Sequence, residues 1–204
     1  VRTAMDRSVA IRKLQQFAVR QEMNHGMQIL TNLSATKKAK VACIGSGPAS
    51  LACAAKLAKS GYTVEIFEAN AKAGGMLSYG IPPARLSQEI VDWDIKTVTN
   101  LGVKIHLNTQ VGKDVSFADL ESKFAAVFVG CGLWQGRKIG LAGVELAGVI
   151  DAVDFLAAAR ATSGTVVKVA QNVVVIGACD TGMDCAATAK LLCAENVTVF
   201  CNQD

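Results

Sequence analysis

Lys40-Val-Ala-Cys-Ile-Gly-Ser-Gly-Pro-Ala-Ser50, with the alanine-rich run to Lys59 and then Tyr62-Thr-Val-Glu-Ile-Phe-Glu68, decides the fold. A short apolar run ending in glycine reads as a buried strand entering a tight turn. Gly45 permits the turn, and Gly47, lacking a Cβ, lets the backbone lie against a pyrophosphate. The helix from Leu51 to Lys59, stopped by Gly61, offers amide donors and partial positive charge at its N-terminus. Tyr62 to Phe67 is a second strand, and Glu68 at its end can accept hydrogen bonds from a ribose diol. Ser50 is a small stand-in at the third glycine position. Strand, turn, helix, strand and acid in this order make a βαβ unit, and hence a parallel sheet. In that context the glycine pattern reads as a dinucleotide-binding turn.

About 130 residues later the theme returns. Asn172 to Ile176 is a strand, Gly177-Ala-Cys-Asp-Thr-Gly182 a turn, Met183 to Cys193 a helix and Asn196 to Cys201 a strand. Here the middle glycine is Cys179, which puts a side chain where a pyrophosphate would lie, and Asp180 reads as a helix N-cap. Phe200 to Asp204 holds no cation that would mark a 2′-phosphate pocket. The expected class is therefore α/β, with one parallel-sheet dinucleotide lobe and the opening βαβ of a second.

Between the two units lie a Gly/Pro-punctuated excursion from Ala73 to Arg85 and a helix from about Ser87 to Leu101. A strand from Val103 to Leu107, a short helix from Phe117 to Lys123 and a buried strand from Ala125 to Val129 follow. Trp134 to Gly148 reads as a crossing loop and Ile150 to Ala161 as a helix opened by Asp151. Ahead of everything, Ile11, Leu14, Phe17 and Ala18 recur at helical spacing, so Val9 to Met23 is expected to be an amphipathic helix burying Leu14 and Phe17 on the first lobe. Asn32 to Lys40 reads as a linker. The expected division is 1–39, helix and linker; 40–148, first lobe; and 149–204, partial second lobe.

Composition narrows the function. The 204 residues are 51% hydrophobic and 19% charged, which excludes a disordered chain. No apolar run reaches the roughly 18–20 residues of a membrane helix, and no secretory leader is read, so a cytoplasmic protein is expected. The net charge of +4 is uneven: residues 1–40 carry +6, the remainder −2. Those cations are spaced out without aromatics, which suits a solvated helix and linker rather than a nucleic-acid arm. Cys43, Cys53, Cys131, Cys179, Cys185, Cys193 and Cys201 form no C-x-x-C pair and no metal-ligand spacing, so all seven are read as core. His25 and His106 stand apart from any nucleophile or carboxylate pattern, which gives no sign of acid–base catalysis.

Taken together, Gly45 to Ser50, Glu68, Gly74-Gly75 and Tyr79-Gly-Ile-Pro-Pro-Ala-Arg-Leu86 resemble the FAD half of glutamate-synthase small-subunit-type flavoproteins. Ile11 to Ala18, Leu101-Gly-Val103, Val111-Gly-Lys113 and Val127 to Gly132 match the same family. Pro48-Ala-Ser50 and Asp180 to Cys185 look closest to dihydropyrimidine dehydrogenase and its bacterial relatives. The resemblance implies FAD contacts at Gly45, Ser46, Gly47, Pro48 and Ala49, at Glu68, Ala69, Gly74, Gly75 and Met76, and at Arg85, Val111 and Gly132. It implies a nicotinamide site at Ala178, Cys179, Asp180 and Thr181. Arg85 suits phosphates or the negative charge of a reduced flavin; its alternative is a surface salt bridge. The resemblance further implies electron flow from NAD(P)H to FAD, then to iron–sulfur clusters held upstream or by a partner, and onward to a catalytic subunit. On this reading the chain is a fragment that does not turn over alone. A non-catalytic nucleotide-binding or scaffold module is the competing reading, in which Ser50 and Cys179 record lost chemistry. A single-domain NAD-binding reductase is a third, and it leaves Arg85 and the second turn unexplained.

Overall fold

A computed structural model describes residues 8–26, 35–136, 139–161 and 167–201. Four parallel strands, β1 (Lys40–Ile44), β2 (Thr63–Phe67), β3 (Lys104–His106) and β4 (Ala126–Val129), form one sheet in the order β3-β2-β1-β4. Val41 pairs with Val64 on one side and with Ala126 on the other. Two further parallel strands, β5 (Asn172–Ile176) and β6 (Asn196–Phe200), form a separate sheet. The α/β class with parallel sheets is therefore present, and the repeated strands lie in different sheets.

The order places β1 centrally because its Val-Ala-Cys core is apolar on both faces, as a strand covered on both sides requires. Helix α2 (Pro48–Lys59) crosses from β1 to β2 and buries Leu51, Ala54 and Ala58 on the sheet. These join Val64, Ile66, Val98, Leu101 and Val103 in the main core. Fully burying each large aliphatic side chain contributes about 1.5–3 kcal/mol, so Ile66→Ala is the kind of change that breaks this layer. A smaller cluster of Ala42, Phe67 and Leu120 lies on the opposite face, with Val111 packed against it. Leu120 comes from α5 (Phe117–Lys123), which is started by Ser116 accepting the Asp119 amide at 3.0 Å. Helix α4 (Gln88–Thr99) supplies Val91 and Val98 to the core.

Several expectations shift. The helix after the first turn begins at Pro48, not Leu51, because Pro is suited to the first helical position, where no amide partner is needed. The Gly/Pro excursion contains a one-turn helix, α3 (Met76–Tyr79). The N-terminal helix α1 (Ile11–Asn24) forms, but Leu14 and Phe17 are 58% and 61% exposed, so their expected burial is corrected. Only its last turn docks: Met23 and Arg20 line a groove with Trp93 and Ile90 of α4. Trp93 is half-buried there. The linker read at 32–40 falls partly outside the described residues; within them, the amides of Thr36 and Lys37 donate to Gly61 O. Of the seven cysteines read as core, Cys43 and Cys185 are buried and Cys53 half-buried, whereas Cys131, Cys179, Cys193 and Cys201 are exposed. Alternating strands and helix ends put apolar-looking sequence on open faces.

Candidate functional site

The first glycine turn is assembled from three chain segments. Gly45 follows β1 at φ +86°, a conformation open mainly to glycine, and its amide donates to Phe67 O at 2.8 Å. A Cβ there would lie 2.7 Å from Gly130 O, so the residue that follows β4 also closes the position. Gly47 is the N-cap of α2 and has no side chain to satisfy the amides of the first turn. From the third segment, the Gly74 amide donates to Ser46 O at 3.1 Å and to Ser46 Oγ at 3.2 Å. A Cβ on Gly75 would stand 2.9 Å from Gly47 Cα. Two glycine-bearing loops thus meet backbone to backbone, and Pro48 and Ala49 remain exposed beside them.

Glu68 is the charged residue of this cradle and is only 4% exposed. One carboxylate oxygen accepts Ser46 N at 2.8 Å and Ser46 Oγ at 2.6 Å. The other accepts the Asn70 amide and Nδ2, each at 2.9 Å. Four donors hold a buried charge that would otherwise carry a large desolvation penalty. Ser46 therefore acts through its hydroxyl, a role the glycine pattern does not reveal. Ser50 is fully buried and its Oγ has no partner. A Cβ on Gly130 would come within hydrogen-bond-breaking range of that oxygen, so Gly130 makes room for the serine that replaces the third glycine. The local sequence carries no signal for this role of Gly130, because Ser50 lies far from it in the chain.

Other expected contacts lie further out. Met76 opens α3, Ala69 is exposed after Glu68, and Gly132 stands past β4 with free space around it. Val111 packs beneath the smaller core cluster and bridges to Val115. Arg85, proposed for phosphate or flavin, instead donates to both carboxylate oxygens of Asp184 at 3.0 and 2.9 Å. The pairing is the salt bridge read as its alternative. His106 is not alone as expected: its Nε2 lies 2.8 Å from Glu65 Oε2 across the β2–β3 register, and its ring stacks on Phe67. The sequence hid this because residues 41 positions apart become neighbours only through strand pairing.

The second turn has the same backbone and a more open setting. Gly177 N donates to Phe200 O at 2.7 Å, and Gly182 is essential to packing, since a Cβ there would clash with Gly177 O. The N-cap of α7 (Asp180–Leu191) is Cys179, and Asp180 is the first helical residue, which corrects the N-cap assignment. Ala178, Cys179, Asp180 and Thr181 are all exposed. The amides of Gly182 and Thr181 draw the Cys179 thiol below its ordinary pKa. Of the segment 200–204, read as lacking a cation for a 2′-phosphate, residues 202–204 lie outside the described residues. Among the described residues no helix is long and apolar enough to cross a membrane, and no group of three or more metal-ligating side chains comes together.

Residues 39–204 match the family described as pyridine nucleotide-disulphide oxidoreductase. The chain belongs to that family. It is 37% identical over all 204 residues to NAD-dependent dihydropyrimidine dehydrogenase subunit PreT of Salmonella typhimurium, of which it covers 48%. It is 37% identical over 174 residues to the glutamate synthase [NADPH] small chain of Escherichia coli, an alignment covering 81% of this chain and 37% of that protein. The resemblance read from the motifs thus holds for both relatives. In three dimensions it superposes on Mycobacterium tuberculosis FprA, solved with NADPH, with a TM-score of 0.68 at 22% identity, over 81% of this chain and 43% of that one. That likeness bears on the fold. The chain spans about half the length, or less, of the curated relatives named here.

Proposed function

We propose that this chain is the FAD-binding section, with the opening of the NAD(P)H-binding section, of an electron-input oxidoreductase. The observation that carries the reading is the cradle in which Gly45, Gly47, Gly75 and Gly130 meet backbone to backbone around an uncapped helix start, with Glu68 fixed beside it. A diphosphate suits the free amides at that start, and a ribose diol suits a carboxylate already oriented by four donors. The orphaned Ser50 hydroxyl marks a buried polar atom at the same helix start, and FAD fits this donor set. Gly45 to Ala49, Glu68 to Met76, Arg85, Val111 and Gly132 would hold FAD; Ala178 to Thr181 would hold the diphosphate of NAD(P)H.

When bound, the flavin accepts a hydride and releases electrons singly, chemistry that belongs to the cofactor. The chain's own residues bind, orient and exclude water. No protein acid or base is required; His25 is a helix-end residue bonded to Gln21 O, and His106 is tied to Glu65. Arg85 would leave Asp184 to serve a flavin phosphate. Iron–sulfur clusters and the final catalytic site would lie in segments or subunits outside this chain, as the naming of PreT and the glutamate synthase small chain as parts of larger enzymes suggests.

The test is reconstitution. Purified chain incubated with FAD, FMN or NAD and then desalted should retain FAD at about one per chain, identified after heat release. A folded chain that stays colourless would overturn the reading and favour the non-catalytic module.

A further inference from the structure

No motif singles out Arg160. It lies in the last turn of α6 (Ala152–Ala161), a helix begun by Asp151, whose Oδ1 accepts the Val153 amide at 2.8 Å. Helix α6 packs against both α7 and α3, so it stands at the seam between the two sheet-bearing units. From there the half-buried Arg160 guanidinium reaches back to the loop between α3 and α4. Its Nη1 donates to Ile81 O and to Leu86 O, the latter at 3.3 Å. Its Nη2 donates to Leu86 O at 3.3 Å and to Gln88 Oε1 at 3.2 Å. Among the described residues every one of these partners is uncharged. Burial of the guanidinium without a carboxylate also lowers its pKa.

This arrangement is chemically selective. The planar guanidinium fork can satisfy several carbonyls at once, whereas a lysine ammonium is a strongly hydrated point charge on a flexible stem. The segment it spans is short and stiff. Pro82 and Pro83 fix φ, and Pro82 O accepts the amides of Arg85 and Leu86 at 3.0 and 3.1 Å. Arg85 therefore sits between the two carbonyls that Arg160 holds. Its own side chain crosses the seam the other way, to Asp184 of α7. That pair is half exposed on the arginine side, and exposed ion pairs fix geometry weakly. The firmer constraint is Arg160.

We propose that Arg160 is a positioning residue that clamps the 81–88 loop to α6 and thereby sets where Arg85 stands at the seam. The clamp rests on geometry alone; its consequence for FAD rests on the reading of Arg85 under Proposed function. Two independent readouts separate them: hydrogen exchange of the full chain without cofactor, and FAD titration followed by absorbance. Wild type is compared with Arg160→Lys, Arg160→Gln and Arg85→Gln.

In both Arg160 variants the Arg85 and Leu86 amides should exchange at least about tenfold faster, while amides of β1 and β2 keep their protection. In Arg85→Gln those loop amides should stay within about twofold of wild type. FAD affinity should fall several-fold in each Arg160 variant, and an Arg160→Lys, Arg85→Gln double variant should be no weaker than Arg85→Gln alone. Unchanged exchange at residues 85 and 86 would overturn the clamp. Uniform loss of protection in Arg160→Lys would overturn it too, by revealing a general role in the core. Faster loop exchange with unchanged FAD affinity would refute the link to Arg85. Failure of wild type to take up FAD would remove the Proposed function and that link together, leaving the exchange data to decide the clamp.

Discussion

The two glycine turns are nearly the same object in two surroundings. Gly45 and Gly177 both have positive φ, +86° and +107°, and each donates to the last carbonyl of the following strand, Phe67 or Phe200. The N-caps coincide as well: Gly47 at φ −67°, ψ 174° and Cys179 at φ −71°, ψ 174°. What surrounds them differs. The first turn is closed by Gly130 on one side and Gly74-Gly75 on the other, and Ser46 and Ser50 are wholly buried. The second is open, and a Cβ on Gly177 would meet nothing within 4 Å. A turn's backbone is a local property; whether it is enclosed is set by segments far away in sequence.

The largest expected effect contrasts the two openings. Gly45→Ala forces an L-residue into a left-handed conformation and drives its Cβ against Gly130 O. It should destabilise by roughly 2–4 kcal/mol, combining overpacking with backbone strain. Gly177→Ala carries only the strain, on the order of 1–2 kcal/mol. Thermal melts of both variants check this, and equal losses would mean that the closure seen around Gly45 contributes nothing.

Glu68→Gln comes next. It keeps the shape but removes the charge that four donors converge on and turns an NH2 toward two of them, so FAD should weaken by about 1–3 kcal/mol, or roughly five- to 150-fold. Gly47→Ala sharpens the point. Its Cβ would lie 4.0 Å from Gly130 O, so the fold should be indifferent while FAD uptake drops. Equal FAD affinity in both variants and wild type, by fluorescence titration, would remove FAD from this turn.

A smaller effect is expected at Cys179. Its negative φ shows that a glycine is not needed for the backbone, so any penalty lies in the side chain. Because the Gly182 and Thr181 amides favour the thiolate, that form appears below the ordinary thiol range. The thiolate repels a diphosphate and takes up the amides it needs. NAD(P)H affinity should thus fall as pH rises through this pKa. Cys179→Gly should bind a few-fold more tightly and lose the pH dependence. A parallel pH profile in both proteins, by stopped-flow flavin bleaching, would show that the thiol is a bystander.

The smallest effect belongs to α1. With Leu14 and Phe17 mostly exposed, Leu14→Gln and Phe17→Gln should each shift stability by less than about 0.5 kcal/mol in this chain. A loss above 1 kcal/mol in a denaturant melt would show that the Leu14–Phe17 stripe is packed after all.

Most strands were legible because their apolar runs are short and bounded by glycine or polar turns: β1 and β5 match the residues read from the sequence. Helix starts were less so, since Pro48 and Asp180 look like turn residues until the helix they open is seen. The roles of Ser46, Gly130 and Arg160 were not legible. Each depends on a partner 22 to 85 positions away, and no local pattern carries that information.

By itself, the amino-acid sequence determined the two strand–turn–helix–strand units, the acid closing the first, and the family, because these are written in local spacing and residue type. The tertiary structure alone decided which turn is enclosed, where Arg85 points, and that α1 leaves its apolar stripe exposed. The physical reason is that burial is a pairwise property. Gly45 needs Gly130 above it, Glu68 needs Ser46 and Asn70 around it, and Leu14 has no facing surface among the described residues, conditions that only the packing of distant segments can meet or withhold.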